Sequence, residues 1–359
     1  MKRKFAILAI VIFTTISCSE NKSGTTTADT IELKNENKTD TQNLNNESSD
    51  TVITNNYSDT ENQTTYIKDL DLFWIRDLEQ NRNKKVGFIS LSDIYSLSEH
   101  LDSLAIPNLE NVDNENQLYL KLNSTYRNRL LSKTNITETD SVFIYDYSTD
   151  VLLSFSVRKL NVVAYLNDYM NIKDCPCSQS DYMIGFEVSK KLLNGLAKYY
   201  SDALVFIGKE NPFAKGQMKN IIWKKISTEK FPFEKSQLTE MQNKYKHKNT
   251  IKGHAYLSET GKYHIFIQDY IESNNFFEVQ NRHLIVIDKK MKKLVYETLF
   301  SDSEGSGVAS LELQWIGRLL KNKPEVIFGF TGVSFGCPSI HYINSRDNKY
   351  IQINCDNRH

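Results

Sequence analysis

The sequence lacks long hydrophobic runs. One apolar run covers residues 5–13, and no other stretch of the 359 residues approaches its length. A transmembrane helix needs roughly 20 predominantly apolar residues. We therefore expect no conventional membrane-spanning helix in this chain.

The chain also lacks an excess of charge, with 44 basic and 44 acidic side chains. This balance conceals a split: residues 2–4 contribute +3, the segment 19–66 has nine acidic and three basic residues, and the remainder therefore has a net charge of +3. A nucleic-acid-binding domain needs a clustered basic face. Neither the acidic segment 19–66 nor the weakly basic remainder indicates such a face. We expect no nucleic-acid partner.

Common catalytic and metal-binding motifs are missing as well. The sequence contains neither HExxH nor GxSxG, and the P-loop-like end at 258–262 has Tyr263 where a Ser or Thr is required. The CPC run at 175–177 lacks the second Cys or His pair of a zinc site. We expect no metal and no cofactor, and the absences favour a non-catalytic protein. They count weakly against an enzyme, because a glycosidase needs only two carboxylates that the fold brings together.

The N-terminus has the three parts of a secretory signal. Residues 2–4 are basic, the apolar run 5–13 follows, and a short polar stretch leads into Cys18. We predict that residues 1–17 are a signal peptide and that the protein is exported.

The residues around Cys18 resemble the lipobox of bacterial lipoproteins. Ser17 is the small residue expected before the cysteine, whereas Thr15 and Ile16 depart from the usual pattern. The resemblance implies that Cys18 becomes the N-terminus and carries acyl chains such as palmitate, which together anchor a protein stably to a membrane. In that family Ser19, because it is not Asp, implies the outer membrane rather than the inner one.

Residues 18–66 form the predicted tether. More than half of the residues from 19 to 66 are Ser, Thr or Asn, and the segment has no proline. Such a composition cannot bury enough apolar surface to offset the entropy of ordering, so we expect disorder. A random coil of this length spans roughly 40 Å on average, which would hold a domain clear of the lipid headgroups.

The region 67–359 is predicted to be a β-rich α+β globular fold with antiparallel sheets or a meander and a few helices. Helical patterns cover 94–104, 189–200 and 234–246, and the last marks a subdivision into 67–230 and 251–359. The predicted hairpins 284–297 and 340–354 have a similar pattern of apolar strand residues around a polar turn. A propeller-like repeat of hairpins is therefore the alternative fold. The strands are predicted at 86–91, 142–147, 151–157, 161–166, 182–187, 203–208, 221–226, 262–271, 284–288, 294–299, 311–319, 325–330, 339–344 and 349–354.

Four of the five cysteines remain once Cys18 is lipidated, and an even number in an exported protein indicates disulfides. A three-residue loop at 345–347 would place Cys337 directly opposite Cys355, within disulfide distance. Cys175 and Cys177 remain as further disulfide candidates, and all three pairings of the four cysteines stay open. Alternatively, Cys175 and Cys177 form a thiol-redox pair or a Cu(I) site, since Cu(I) favours thiolate ligands.

Three of the seven histidines lie in predicted strands or beside a turn. His254 and His264 flank a turn and would share a sheet face only in one register. His341 lies on the predicted closing hairpin, and the alternation of that strand allows its side chain to lie on either face of the sheet.

The sequence therefore predicts a lipid-anchored protein of the cell membrane or outer membrane. The first hypothesis is a non-catalytic envelope protein with an unknown protein or glycan partner. A cell-envelope hydrolase and a thiol-redox or copper-binding protein are the alternatives.

Overall fold

A computed structural model describes residues 70–81, 84–95, 97, 105–112, 114–174, 177–238, 250–272, 275–303, 305–334, 336–343 and 349–356. The signal segment, Cys18, the tether and Cys175 lie outside these residues. In the part of the chain that is described, no helix is both long enough and apolar enough to cross a membrane.

Strands dominate the described residues. The two α-helices are α1 (Asn114–Gln117) and α2 (Ser124–Thr134). The strands are β1 (Leu72–Asn81), β2 (Lys84–Ser90), β3 (Tyr119–Lys121), β4 (Ser141–Asp146), β5 (Val151–Ser156), β6 (Asn161–Leu166), β7 (Tyr182–Val188), β8 (Ala203–Gly208), β9 (Met218–Asn220), β10 (Lys224–Ile226), β11 (Thr250–Glu259), β12 (Tyr263–Glu272), β13 (Asn275–Asp288), β14 (Lys293–Ser301), β15 (Ser306–Val308), β16 (Trp315–Gly317), β17 (Val326–Phe328), β18 (Thr331–Val333), β19 (Ser339–Tyr342) and β20 (Tyr350–Asn354). Short 3₁₀ helices connect them at Leu109–Asn111, Val157–Lys159, Ile172–Asp174, Gln179–Asp181, Lys198–Tyr200, Thr228–Lys230, Phe233–Lys235 and Leu311–Leu313.

Strand β1 joins the parts of a 13-stranded sheet. The main path of this sheet runs β3-β6-β7-β2-β1-β20-β19-β17-β16-β9, and β4, β5 and β8 branch from it. The second half of β1 pairs with β2, while its first residues pair with β8 and, in parallel, with β20. The first and last described strands are therefore neighbours.

A second sheet has five strands in the order β10-β11-β12-β13-β14. It is an antiparallel meander in which each strand follows its neighbour along the chain. Ile265 and Val286 of this sheet share one buried cluster with Ile316 and Ile327 of the large sheet. Apolar burial between these strands is thus a stabilising contact between the two sheets.

The β-rich α+β prediction is confirmed. The propeller-like alternative does not describe these residues, because the two sheets differ in size and strand order. Strands from both sides of the suggested boundary also join the same sheet, since β9 pairs with β16. The boundary near 231–250 therefore does not separate two sheets.

Two helix predictions fail in the described residues. The stretch 189–200 forms turns and the 3₁₀ helix Lys198–Tyr200, because Gly195 and Tyr199 have φ angles of +102° and +69° that an α-helix cannot contain. The pattern 234–246 gives only the 3₁₀ helix Phe233–Lys235. Residues 236–238 have no regular secondary structure, and the remainder lies outside the described residues. Ser92, Asp93 and Ile94 form a turn, while most of the helix predicted at 94–104 also lies outside.

Candidate functional site

The closing hairpin contains the disulfide that the sequence predicts. Cys337 and Cys355 are bonded, with their Cα atoms 5.6 Å apart. The prediction that these two residues form a disulfide is confirmed. The bond ties the chain before β19 to the end of β20.

The register behind that prediction is wrong by one residue. The ladder pairs Ser339 with Gln352 and Ile340 with Ile351, so the same register would place Cys337 opposite Asn354 rather than Cys355. Cys337 precedes the ladder, because Pro338 has no N–H to donate to it. The chain is therefore free to leave the register there.

Cys177 is buried and disulfide-bonded, and its partner lies outside the described residues. Cu(I) is held by thiolates, and a disulfide sulfur is not a thiolate. In this oxidised form Cys177 therefore cannot bind copper as the sequence hypothesis requires.

A cavity of about 270 Å³ lies where β1, β8 and the end of α2 meet. Its wall is partly apolar, and its polar groups come from three distant parts of the chain. Among its lining residues are Asp71, Phe73, Asn135, Thr137, Asp140 and Lys209. Ligand sites are concave, with an apolar wall and a few polar groups, and this cavity has those features at a small volume.

Asp140 is the most strongly held polar group of this cavity. Its carboxylate accepts hydrogen bonds from Thr137 N at 2.6 Å and Thr137 Oγ1 at 2.9 Å, and it forms an ion pair with Lys209 Nζ at 2.8 Å. Burial acts to raise the pKa of Asp140, but the bonds from Lys209 and Thr137 outweigh it and hold the pKa below its ordinary value. Asp140 is therefore ionised at neutral pH.

The cavity contains a second carboxylate, Asp71, which accepts a long hydrogen bond of 3.4 Å from Asn354 Nδ2. Acid–base hydrolysis by two carboxylates requires one of them to remain protonated. Ionised Asp140 cannot supply that proton. Asp140 is therefore a fixed negative group of the cavity, and of the two carboxylates only Asp71 is left to serve as an acid.

The three histidines that the sequence singles out lie apart. His254 contacts Lys225 Nζ at 3.3 Å, while His264 lies 3.9 Å from Glu259. His341 lies among aromatic rings and is 3.0 Å from Ser339 Oγ. Burial lowers the pKa of His341 to about 4, so its imidazole is neutral at neutral pH.

Comparisons with known proteins identify no family for this chain. No family model matches it. No curated protein and no solved structure matches it either. Functional assignment therefore rests on the residues themselves.

A buried polar run in β13 was not predicted from the sequence. On one face, Arg282 pairs with Asp269. On the other, His283 Nε2 contacts Glu297 Oε1 at 2.7 Å, and Glu297 also accepts bonds from Ser236 Oγ and Gln237 N at 2.6 and 2.7 Å. These bonds hold the segment after the 3₁₀ helix Phe233–Lys235 against the sheet.

One feature of the sequence could have indicated this run: the four polar residues QNRH at 280–283 interrupt an otherwise apolar strand pattern. No cluster of three or more His, Cys, Asp or Glu side chains that suits a metal ion occurs among the residues that the structure describes. The bonds of Arg282 and Glu297 give the polar run a structural role, since they join the strands of this sheet to neighbouring segments.

Proposed function

We propose that the chain is an exported bacterial lipoprotein, anchored to the cell membrane or outer membrane by acyl chains on Cys18. Its folded region would bind a protein or glycan partner in the envelope. The observation that best supports export is the disulfide between Cys337 and Cys355, since such bonds persist in oxidising compartments and are rare in the cytosol. The basic and apolar parts of the 1–17 segment also support export.

Labelled palmitate tests the anchor. We expect the wild-type protein to incorporate the label and to sediment with membranes, and the Cys18→Ala variant to lose the label. The Cys355→Ala variant also removes one cysteine, and it should keep the label. An unlabelled wild-type protein, or a Cys18→Ala variant that fractionates as the wild type does, would contradict the proposal.

Binding without catalysis is supported by the state of the cavity. Asp140 is held ionised by Thr137 and Lys209, so it acts as a fixed negative group rather than as a proton donor. Asp71 and Asn135 remain at the exposed side of the cavity, where they can bond to the hydroxyl or amine groups of a ligand.

A hydrolase is the second candidate, because two carboxylates line one cavity. With Asp140 ionised, Asp71 would have to serve as the acid. Chromogenic glycosides test this: hydrolysis by the wild type that disappears in Asp71→Asn would support the hydrolase, and its absence would favour binding.

The thiol or copper hypothesis is tested on reduced protein. Cu(I) titration of the wild type should show a thiolate signal that Cys175→Ser removes and Cys337→Ser retains. The same signal in both variants would eliminate the site at Cys175 and Cys177.

A further inference from the structure

The turn between β13 and β14 is the most basic short segment of the folded region. Four lysines surround one methionine in the sequence KKMKK at 289–293. We refer to Lys289, Lys290, Met291, Lys292 and Lys293 as the lysine tip. The proposed function of the cavity does not use it.

The structure fixes the shape of the lysine tip. Asp288 Oδ1 accepts hydrogen bonds from Lys290 N at 2.9 Å and Met291 N at 2.8 Å, and Lys292 N donates to Asp288 O at 2.8 Å. Lys292 adopts φ +55°, which closes the turn. The tip is thus a rigid projection of two long strands rather than a loose loop.

Most of the charge on the lysine tip is unneutralised. Lys289 pairs with Glu259 at 3.1 Å and donates to Thr260 O at 2.7 Å. Lys290, Lys292 and Lys293 are exposed, and among the described residues the carboxylate that pairs with this turn, Glu259, bonds to Lys289 and to none of these three. Three ammonium groups therefore face solvent together.

An apolar side chain lies between the exposed lysines of the lysine tip. Met291 is 56% exposed, and its flexible, polarizable side chain adapts to irregular apolar surroundings. The lysines are complementary to the negative surface of an anionic bilayer. The apolar methionine between them is complementary to the apolar boundary below the headgroups.

We propose that the lysine tip docks on a bilayer that contains anionic phospholipid. Lys290, Lys292 and Lys293 would contact phosphate groups, and Met291 would enter the headgroup region. This inference rests on the proposed function, because an acyl anchor on a flexible tether that spans roughly 40 Å on average lets the domain approach the lipid as well as stand clear of it. The anchor supplies stable attachment, and the lysine tip sets which side of the domain faces the membrane.

Vesicle sedimentation of residues 19–359 tests the lysine tip apart from the anchor. Every described contact lies between residues 70 and 356, so removal of 1–18 removes none of them. We expect this chain to bind vesicles of phosphatidylcholine and phosphatidylglycerol in equal amounts, and to bind pure phosphatidylcholine vesicles far less. Added salt should weaken the binding because it screens the lysines.

Two triple variants with the same change in charge provide the decisive comparison. Lys290→Gln/Lys292→Gln/Lys293→Gln should lower the partition coefficient by about tenfold or more, since each basic residue near an anionic surface contributes separately. Lys133→Gln/Lys159→Gln/Lys191→Gln alters three exposed lysines in other parts of the chain and should leave most of the binding intact. Met291→Ser should give a smaller loss than the lysine-tip triple.

Equal losses in the two triple variants would overturn the proposal, because only net charge would then matter. An absence of binding to the anionic vesicles would overturn it as well. Neither result depends on acylation, so palmitate labelling of Cys18 and vesicle binding by the lysine tip can fail independently.

Discussion

Arg282 and Asp269 face each other across β13 and β12, joined by hydrogen bonds of 2.6 and 3.1 Å. Only 3% and 5% of their side chains are exposed. Arg282 Nη1 also donates to Ala309 O at 2.7 Å, so the guanidinium ties two strands to the chain before the 3₁₀ helix Leu311–Leu313. A charge buried this deeply is tolerated only because its partner is present.

Removal of one partner should therefore cost more than removal of both. We expect Asp269→Leu to lower the free energy of unfolding by about 3–5 kcal/mol, because it leaves Arg282 buried without a counter-charge. The double variant Asp269→Leu/Arg282→Met should recover much of that loss. Urea unfolding of both singles and the double measures the coupling, and strictly additive effects would contradict the pairing.

The disulfide should stabilise the oxidised protein through the loop that it closes. The two cysteines are 18 residues apart, and the chain-entropy model assigns about 3 kcal/mol to a loop of this size. Cys337→Ser/Cys355→Ser should lose about that much stability in urea unfolding without a reductant. With a reductant present, wild type and double variant should unfold at similar urea concentrations, and a persistent difference would show another effect of the substitutions.

The strands were predictable where the local pattern was clear: β4 and β6 are short apolar runs that are buried almost throughout, and β12 alternates in its first half. Helix α2 was missed because only Leu130 and Leu131 are buried along it, which gives a weak apolar stripe. Its signals were local: Asn123 accepts hydrogen bonds from Thr125 N and Tyr126 N at the start, and Asn135 adopts φ +57° at the end.

The cavity could not be found from the sequence. Asp140 lies 69 residues after Asp71, and Lys209 lies 69 residues after Asp140. The pairing of β1 and β4 with β8 brings them together. Such pairings depend on long-range burial rather than on local pattern. The closing disulfide was predictable because both cysteines belong to one hairpin.

Lys209 should contribute to the low pKa of Asp140 in the cavity. We expect Lys209→Met to raise the pKa of Asp140 toward its ordinary value of 3.8, measured by NMR titration of the carboxyl carbon. Since Lys209 is 65% exposed, solvent screening should limit the stability loss at neutral pH to about 1 kcal/mol or less. Lys215→Met, which changes a lysine outside the cavity lining, should leave the pKa of Asp140 unchanged. An unaltered pKa in Lys209→Met would show that the bonds from Thr137 alone hold the pKa of Asp140 below its ordinary value.

His341 should make the folded protein sensitive to mild acid. Burial lowers its pKa from 6.5 to about 4, so the folded state holds the imidazole neutral while the unfolded chain takes up a proton below the ordinary pKa. The contribution of His341 therefore falls as the pH drops from about 6.5 toward 4, by at most about 3 kcal/mol, and is constant below that window. The His341→Gln variant lacks the titrating group, so its stability should change less over the same pH range. Urea unfolding at several pH values measures both slopes, and equal slopes in wild type and variant would show that His341 titrates normally in the folded protein.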